Sequence, residues 1–187
     1  EIDKDKLYKF LREMEFNRLL SSAISAYGEP NLSAANDIKK TDEKIKTKTF
    51  DKKEYYLITD PEEINNWIEE AEEAGLVAVD TETSSLDPHQ ADLIGISLSS
   101  KIGKACYIPI GHDSKKCINK DIVLKKLKPL LEDSSIKKIG QNIKFDFIVL
   151  FKNGINITSM EDTMLMSYVL DAGKNRHNMD TLSEIHL

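Results

Sequence analysis

Two acids two residues apart, Asp80 and Glu82, close the apolar run Leu76-Val77-Ala78-Val79. Residues i and i+2 of a strand share a face, with Cα atoms about 6.5–7 Å apart. Carboxylates at that separation can grip one hard cation, or hold two cations about 3.5–4 Å apart. The apolar run marks a buried strand, and acids leaving such a strand must be paired, stand at a rim or face a metal. The spacing alone fits two solvent-facing acids equally well, because acid-x-acid is common.

A third acid lies in Gly140-Gln141-Asn142-Ile143-Lys144-Phe145-Asp146. Gly140 and Asn142 suit a strand-to-helix turn, with Asn142 as the helix cap. Asp146 then sits one turn into the helix, on the face of Asn142. A helix entering beside the rim of the sheet could bring Asp146 to cations held by Asp80 and Glu82, with Asn142 and Lys144 placed to hold a nucleic-acid backbone. Taken singly, a capped amphipathic helix with a solvated Asp fits as well.

The elements that must position these residues can be read from the periodicity. From Asp3 to about Tyr27, Leu7, Phe10, Leu11, Met14, Leu19, Leu20 and Ile24 recur at helical spacing, and Gly28 and Pro30 stop the pattern. Residues 31–54 are polar and lysine-rich, the composition of a linker. Tyr55–Thr59 reads as a strand, and Asp60-Pro61-Glu62-Glu63 opens a helix that ends at Gly75. Leu76–Glu82, Leu93–Leu98 and Ala105–Ile110 suggest an antiparallel meander turning at Gly103. Next come a helix over Ile122–Leu131, a strand over Ile136–Gly140, a helix over Asn142–Phe151, an extended stretch at Ile155–Ile157 and a helix over Asp162–Leu170. Arg176–Leu187 begins as a turn and becomes helical. Strands followed by alternating helices and strands predict an α/β fold, a mixed β-sheet with flanking helices.

The totals set outer bounds. The chain has 187 residues, 40% hydrophobic and 31% charged, enough for one sizeable domain and an appendage. A net charge of −6 argues against a general phosphate-neutralising protein but suits a carboxylate site whose cations supply the positive charge. Cys106 and Cys117 lack a metal-ligand pattern and read as free thiols of a reducing cytoplasm. No run approaches the length of a membrane span and nothing resembles a signal peptide, so no membrane partner is expected. The chain opens at Glu1 without a methionine, as a piece of something larger would. His112 and His177 read as structural, Met160, Met164 and Met166 as core filling, and Trp67 as packing.

In combination the two acidic features become specific. Asp80-Thr-Glu82-Thr83 followed by Leu86, then Asn142-x-Lys144-Phe145-Asp146 roughly sixty residues on, resemble the first and second exonuclease motifs of bacterial family A DNA polymerases. Tyr107-Ile-Pro-Ile-Gly-His112, Leu127–Glu132, Asp162–Leu170 and Arg176-His-x-Met-Asp180-x-Leu182 are similar to further family segments in the same order. The resemblance covers roughly Tyr55 to Leu187, and residues 1–30 resemble, more weakly, the end of a 5′-nuclease domain.

The resemblance implies an RNase H-like fold in 55–187 and 3′→5′ removal of the terminal nucleotide of single-stranded or mispaired DNA. Asp80, Glu82 and Asp146 would be catalytic ligands of two divalent cations, Mg²⁺ or Mn²⁺ with Zn²⁺ as a further option. One cation would activate the attacking water and the other would steady the leaving 3′-oxygen. Leu86 would wedge against the terminal base, and Asn142, Lys144, Phe145 and Arg176 would contact the strand. Its partners would be a single-stranded 3′ end and the 5′-nuclease and polymerase domains of a bacterial, cytoplasmic parent chain. The family's third motif, Tyr-x-x-x-Asp on a later helix, has no counterpart before Leu187: Tyr168 to Ala172 has the spacing but ends in alanine. Activity of this stretch alone is therefore expected to be impaired. Two other readings stay open, an RNase D-like RNA exonuclease and a degenerate exonuclease fold kept as a structural module.

Overall fold

The computed structural model describes residues 2–29, 54–112 and 116–187, in two compact units divided between Lys46 and Thr47. The expected linker lies, except for Glu54, outside the described residues. Among the described residues no helix is long and apolar enough to cross a membrane.

The first unit is a helical hairpin rather than one continuous helix. Helix α1, Lys4–Glu13, is capped by Asp3, and α2 spans Asn17–Tyr27. The break comes at Glu15, whose φ of 55° is left-handed, and Phe16 donates its N–H back to Leu11. The unbroken apolar periodicity hides this turn, because both helices use the same spacing to face each other. Tyr8, Leu11 and Ala23 form their small core, and the Tyr8 hydroxyl donates to the Gly28 carbonyl at 2.6 Å.

The second unit is α/β. Its six strands are β1 (Tyr55–Leu57), β2 (Leu76–Thr83), β3 (Leu93–Lys101), β4 (Lys104–Pro109), β5 (Lys137–Gly140) and β6 (Met160–Asp162). They lie in the order β1-β4-β3-β2-β5-β6. The pairs β2–β3 and β3–β4 are antiparallel, the expected meander, while β1, β5 and β6 add parallel to their neighbours. Flanking helices are α3 (Glu63–Ala74), α4 (Lys120–Glu132), α5 (Ile143–Lys152), α6 (Thr163–Asp171) and α7 (Met179–His186). Helix α3 packs on α4, β2 and β3, and α5 packs on β2 and β6. Gly75 ends α3 in a left-handed turn, φ 67°, as a C-terminal glycine does.

One core joins these layers, built on Ile64, Val77, Ile96, Ile108, Leu127, Leu131 and Leu150. Trp67 belongs to it, with Lys104 over its ring. Lys138 on β5 is wholly buried, and its ammonium donates to the Asp133 and Ile136 carbonyls, closing the turn that feeds the strand. Burial pushes its pKa down.

Two expectations fail here. Ile155 and Ile157 do not form a strand: their side chains fill the core, while Met160–Asp162 pairs with β5 instead. The methionines are not core filling either, since Met160 and Met166 are each 42% exposed and α6 has no buried residue. Helical spacing shows that one face is apolar, not that something covers it.

The register lays out the open face of the sheet. Asp80 lies across from Ser97 and then Tyr107, and Glu82 across from Gly95 and then Pro109. The pairing shifts after Glu82, a bulge of the kind that re-aims a side chain at a sheet rim. Tyr107 lies over Gly95, where a Cβ would come 2.0 Å from the phenol oxygen. The Gly95→Ala substitution should therefore displace Tyr107 and lower stability by about 1–3 kcal/mol. A urea midpoint unchanged from the parent would contradict that packing.

Candidate active site

On β2 the side chains of Val77, Val79 and Thr81 turn inward while Asp80 and Glu82 stay exposed. Strand alternation thus puts both acids on one open face, two positions apart. No described lysine or arginine forms an ion pair with either, or with Asp146.

Asp146 reaches the strand from helix α5 and is buried, 3% exposed. Its Oδ1 accepts the Thr81 N–H at 2.8 Å and the Thr81 hydroxyl at 2.6 Å. The register explains why that N–H is available. The β2–β5 pairing ends at Ala78 and Ile139, so beyond it this edge of β2 has no strand partner, and Asp146 supplies the acceptor. The clamp places the third carboxylate between, in sequence, the two residues that carry the others.

The helix that carries Asp146 is aimed by another acid. Asn142 occupies the N-cap position of α5, but its side chain makes no capping bond, contrary to the sequence reading. It adopts left-handed φ 59°, ψ 42°, which Asn tolerates. The cap comes from Asp162, buried at 9% exposed, whose carboxylate accepts from the amides of Asn142 at 3.0 Å and Ile143 at 3.1 Å. Asp162 also caps its own helix α6 through the Met164 amide at 2.9 Å. One carboxylate therefore fixes two helix starts, and the sequence shows only half of this, in the Asp162-Thr163 helix opening.

The other expected residues are dispersed around this rim. Leu86 is 96% exposed on the loop after β2, although that loop is held by bonds such as Ser84 N–H to Asp92 and Asp92 N–H to the Ser84 hydroxyl. Phe145 is half-buried against the core. Lys144 is exposed, two helical positions from Asp146, so the two side chains diverge by about 200°. It lines an apolar groove with Phe147, Met160, Leu165 and Val169 instead. Arg176 is exposed in the loop before α7. Tyr107 and His112, the ends of a family-like segment in which His112 read as structural, are joined at 2.5 Å between phenol oxygen and Nε2.

The electrostatics tie the acids together. Burial pushes the Asp146 carboxyl up to about 6 against the Thr81 bonds that lower it, and the charge of Asp80 adds to the rise. Protein packed around the exposed Asp80 carboxylate raises its pKa through desolvation, and Glu82 raises it further. The Tyr107 phenol is raised by burial first and by Glu82 second, which sets it beside the same cluster. By contrast Cys106, pushed up by burial to about 12, is an inert core thiol, and Cys117 is also unpaired.

Among the described residues no three His, Cys, Asp or Glu side chains already converge on one point. Like charges at this separation repel, so Asp80 and Glu82, unrestrained by burial, have no reason to close without a countercharge. The donor set fits hard divalent cations: three carboxylates from two rigid elements, mutually unfavourable and without a basic partner. Binding of Mg²⁺ or a similar ion would relieve that repulsion.

The raised Asp146 pKa has a stability consequence. The ordinary value is 3.8 and the folded one about 6, so the fold holds this proton more tightly than the unfolded chain. The stabilisation is complete below about pH 4 and is lost as pH rises through the folded value, by at most about 3 kcal/mol. The Asp146→Asn protein keeps an oxygen for Thr81 without the charge. Its melting temperature without divalent ions should rise at about pH 7.5 and change little at about pH 4. Equal shifts at both pH values would contradict burial of the charge as the cause.

Comparison with known proteins follows the same lines. A profile of the 3′-5′ exonuclease family of DNA polymerase A matches residues 55–187. DNA polymerase I of Rhizobium leguminosarum is 41% identical over 177 residues, covering 83% of this chain, and that of Pseudomonas aeruginosa is 35% identical over 189 residues, covering 98%. The chain spans only 17% and 20% of the length of those relatives. Among solved structures, Brucella melitensis NrnC bound to pGG is 28% identical with a TM-score of 0.52, over 71% of this chain and 59% of that one. The Trypanosoma brucei RNase D:GMP complex, 15% identical over 63% of this chain and 36% of that one, has a TM-score of 0.52 and shares the fold. The RNase H-like α/β sheet, the carboxylates on β2 and α5, and these matches agree: the chain belongs to the 3′-5′ exonuclease family of DNA polymerase A.

Proposed function

We propose that this chain is the proofreading part of a DNA polymerase I and removes nucleotides from single-stranded or mispaired 3′ ends of DNA with two divalent cations, Mg²⁺ or Mn²⁺. Zn²⁺ suits the same oxygen ligands less well but can enter. The observation that carries this reading is the Thr81–Asp146 clamp, which sets a buried carboxylate against the strand bearing Asp80 and Glu82. Bound there, divalent cations would polarise the scissile phosphate and lower the pKa of an attacking water.

The protein's own groups do the rest. Asp80 and Glu82 would hold cations from the open face, and Asp146 would offer Oδ2 while Thr81 keeps Oδ1. An exposed Leu86 on an ordered loop suits a wedge against the terminal base, because an apolar side chain in water gains by stacking there. Asn142, at the turn into α5, would contact the strand as the family resemblance implies. The roles of Lys144 and Phe145 follow the family resemblance alone, since Lys144 points along the α6 groove. In the longer protein, residues 55–187 are the exonuclease domain, and residues 1–30 are the end of a preceding 5′-nuclease domain. The Pseudomonas match, which reaches 98% of the chain, supports that continuation.

Binding of Mn²⁺, followed by calorimetry or by loss of its electron paramagnetic signal, tests the site in this chain. Asp80→Asn and Asp146→Asn should each weaken binding strongly. In the polymerase-length protein, Asp80→Ala should slow digestion of a 5′-labelled single-stranded oligodeoxynucleotide by at least about 100-fold, the equivalent of roughly 3 kcal/mol. No Mn²⁺ binding to the parent chain, or digestion indifferent to Asp80→Ala, would support a structural module instead.

A further inference from the structure

The open face carries a pair of side chains that the three carboxylates do not account for. Tyr107 of β4 and His112, just past the end of that strand, are joined between phenol oxygen and Nε2, with ring centroids 5.8 Å apart and planes at 68°. His112 is exposed, yet its backbone is tied down on both sides. Before it, the amides of Ile110 and Gly111 both donate to the Ile94 carbonyl of β3, at 2.7 and 2.8 Å. Gly111 suits that close approach, since a Cβ there would lie 3.1 Å from the Leu93 carbonyl oxygen. After it, the Cys117 thiol donates to the His112 carbonyl at 3.2 Å.

The phenol is aimed across the sheet toward the acids. Asp80, Ser97 and Tyr107 stand in one cross-strand row of the open face, and Glu82, Gly95 and Pro109 in the next. Tyr107 leans from its own row into the second, so that its oxygen lies 2.0 Å from the point a Gly95 Cβ would occupy. Directly opposed Cβ positions of an antiparallel pair are about 4.5–5.5 Å apart, a gap that a glutamate side chain spans. The Glu82 carboxylate can therefore reach the phenol oxygen, and after burial its charge is the next cause that raises the Tyr107 pKa. We propose that Tyr107 is a positioning residue for Glu82: held by His112, its phenol O–H donates to one Glu82 carboxylate oxygen and turns the other toward a divalent cation. This rests on the exonuclease reading above.

Proton counting sets the direction of both bonds. A phenol has one proton, and an imidazole nitrogen either donates or accepts. If the phenol gave its proton to Nε2, it would show Glu82 only lone pairs, and two acceptors would face each other. With Nε2–H donating to the phenol oxygen, the phenol proton is left for the carboxylate and every donor has an acceptor. The gain is preorganisation. Thr81 already fixes Asp146, whereas an exposed glutamate has several rotamers, and a bond from Tyr107 reduces the ordering that cation binding would otherwise require.

Mn²⁺ titration of this chain, followed by calorimetry or by loss of the paramagnetic signal, tests the role. Tyr107→Phe removes the hydroxyl and keeps the ring over Gly95. It should weaken Mn²⁺ binding about tenfold, as expected for one hydrogen bond to a charged group. In a Glu82→Ala background the same substitution should have no further effect, because nothing remains for the hydroxyl to hold. His112→Ala should weaken binding about threefold, and His112→Gln, whose side-chain amide can donate in place of Nε2–H, should recover most of that loss. If Tyr107→Phe does not fold by circular dichroism, the two His112 variants carry the test. Parent-like affinity in Tyr107→Phe would overturn the proposal. So would a Tyr107→Phe loss that persists at full size in Glu82→Ala, or a His112→Gln protein that binds no better than His112→Ala. Mn²⁺ binding that Asp80→Asn weakens and Tyr107→Phe leaves unchanged would overturn this proposal alone, whereas a parent chain that binds no Mn²⁺ would overturn the exonuclease reading and this proposal with it.

Discussion

The site depends on a carboxylate that is costly to bury. Asp146 sits almost out of contact with water, yet two donors from a single residue, Thr81, hold one of its oxygens at 2.8 and 2.6 Å. Those bonds favour the ionised form, and desolvation opposes it more strongly, so the carboxyl is raised to about 6. Alone, such a group is a burden on the fold at neutral pH. On the proposed reading it would become part of a binding site beside Asp80 and Glu82, because a dication would convert the repulsion of Asp80 with Glu82 and with Asp146 into attraction.

The surrounding fold supports that arrangement through a sequence of local necessities. The β2–β5 pairing stops early, which frees the Thr81 amide. The β5–α5 turn passes through left-handed Asn142, and Asp162 compensates the amides exposed there while also starting α6. A bulge after Glu82 and a glycine at 95 let the open face carry acids on one strand and Tyr107 across it. Each feature acts on the backbone, and each limits where a carboxylate can point.

Much of this was legible in the residues. Strand alternation put Asp80 and Glu82 on one face, the 140–146 segment announced a strand-to-helix turn, and the glycines at 75 and 103 marked real reversals. What failed has identifiable causes. The hairpin within 4–27 was hidden because a turn with no glycine or proline interrupts a constant apolar period. Asn142 was given the capping role because residue type alone favours it, whereas the actual cap, Asp162, comes from a position twenty residues later. Ile155 and Ile157 looked like a strand because buried apolar residues look alike whether or not their backbone pairs. The Asp162 bonds to the α5 amides escaped notice since long-range hydrogen bonds leave no trace in spacing.

The central claim is that Thr81 holds Asp146 where it completes a cation site with Asp80 and Glu82. Crystals soaked in Mn²⁺ with thymidine monophosphate, measured for anomalous scattering, test it directly. The account predicts a manganese peak bounded by the three carboxylates, with Asp146 ligating through Oδ2 while Oδ1 keeps both Thr81 bonds. Manganese found elsewhere on the protein and absent there, or an Asp146 that ligates only after releasing Thr81, would contradict it.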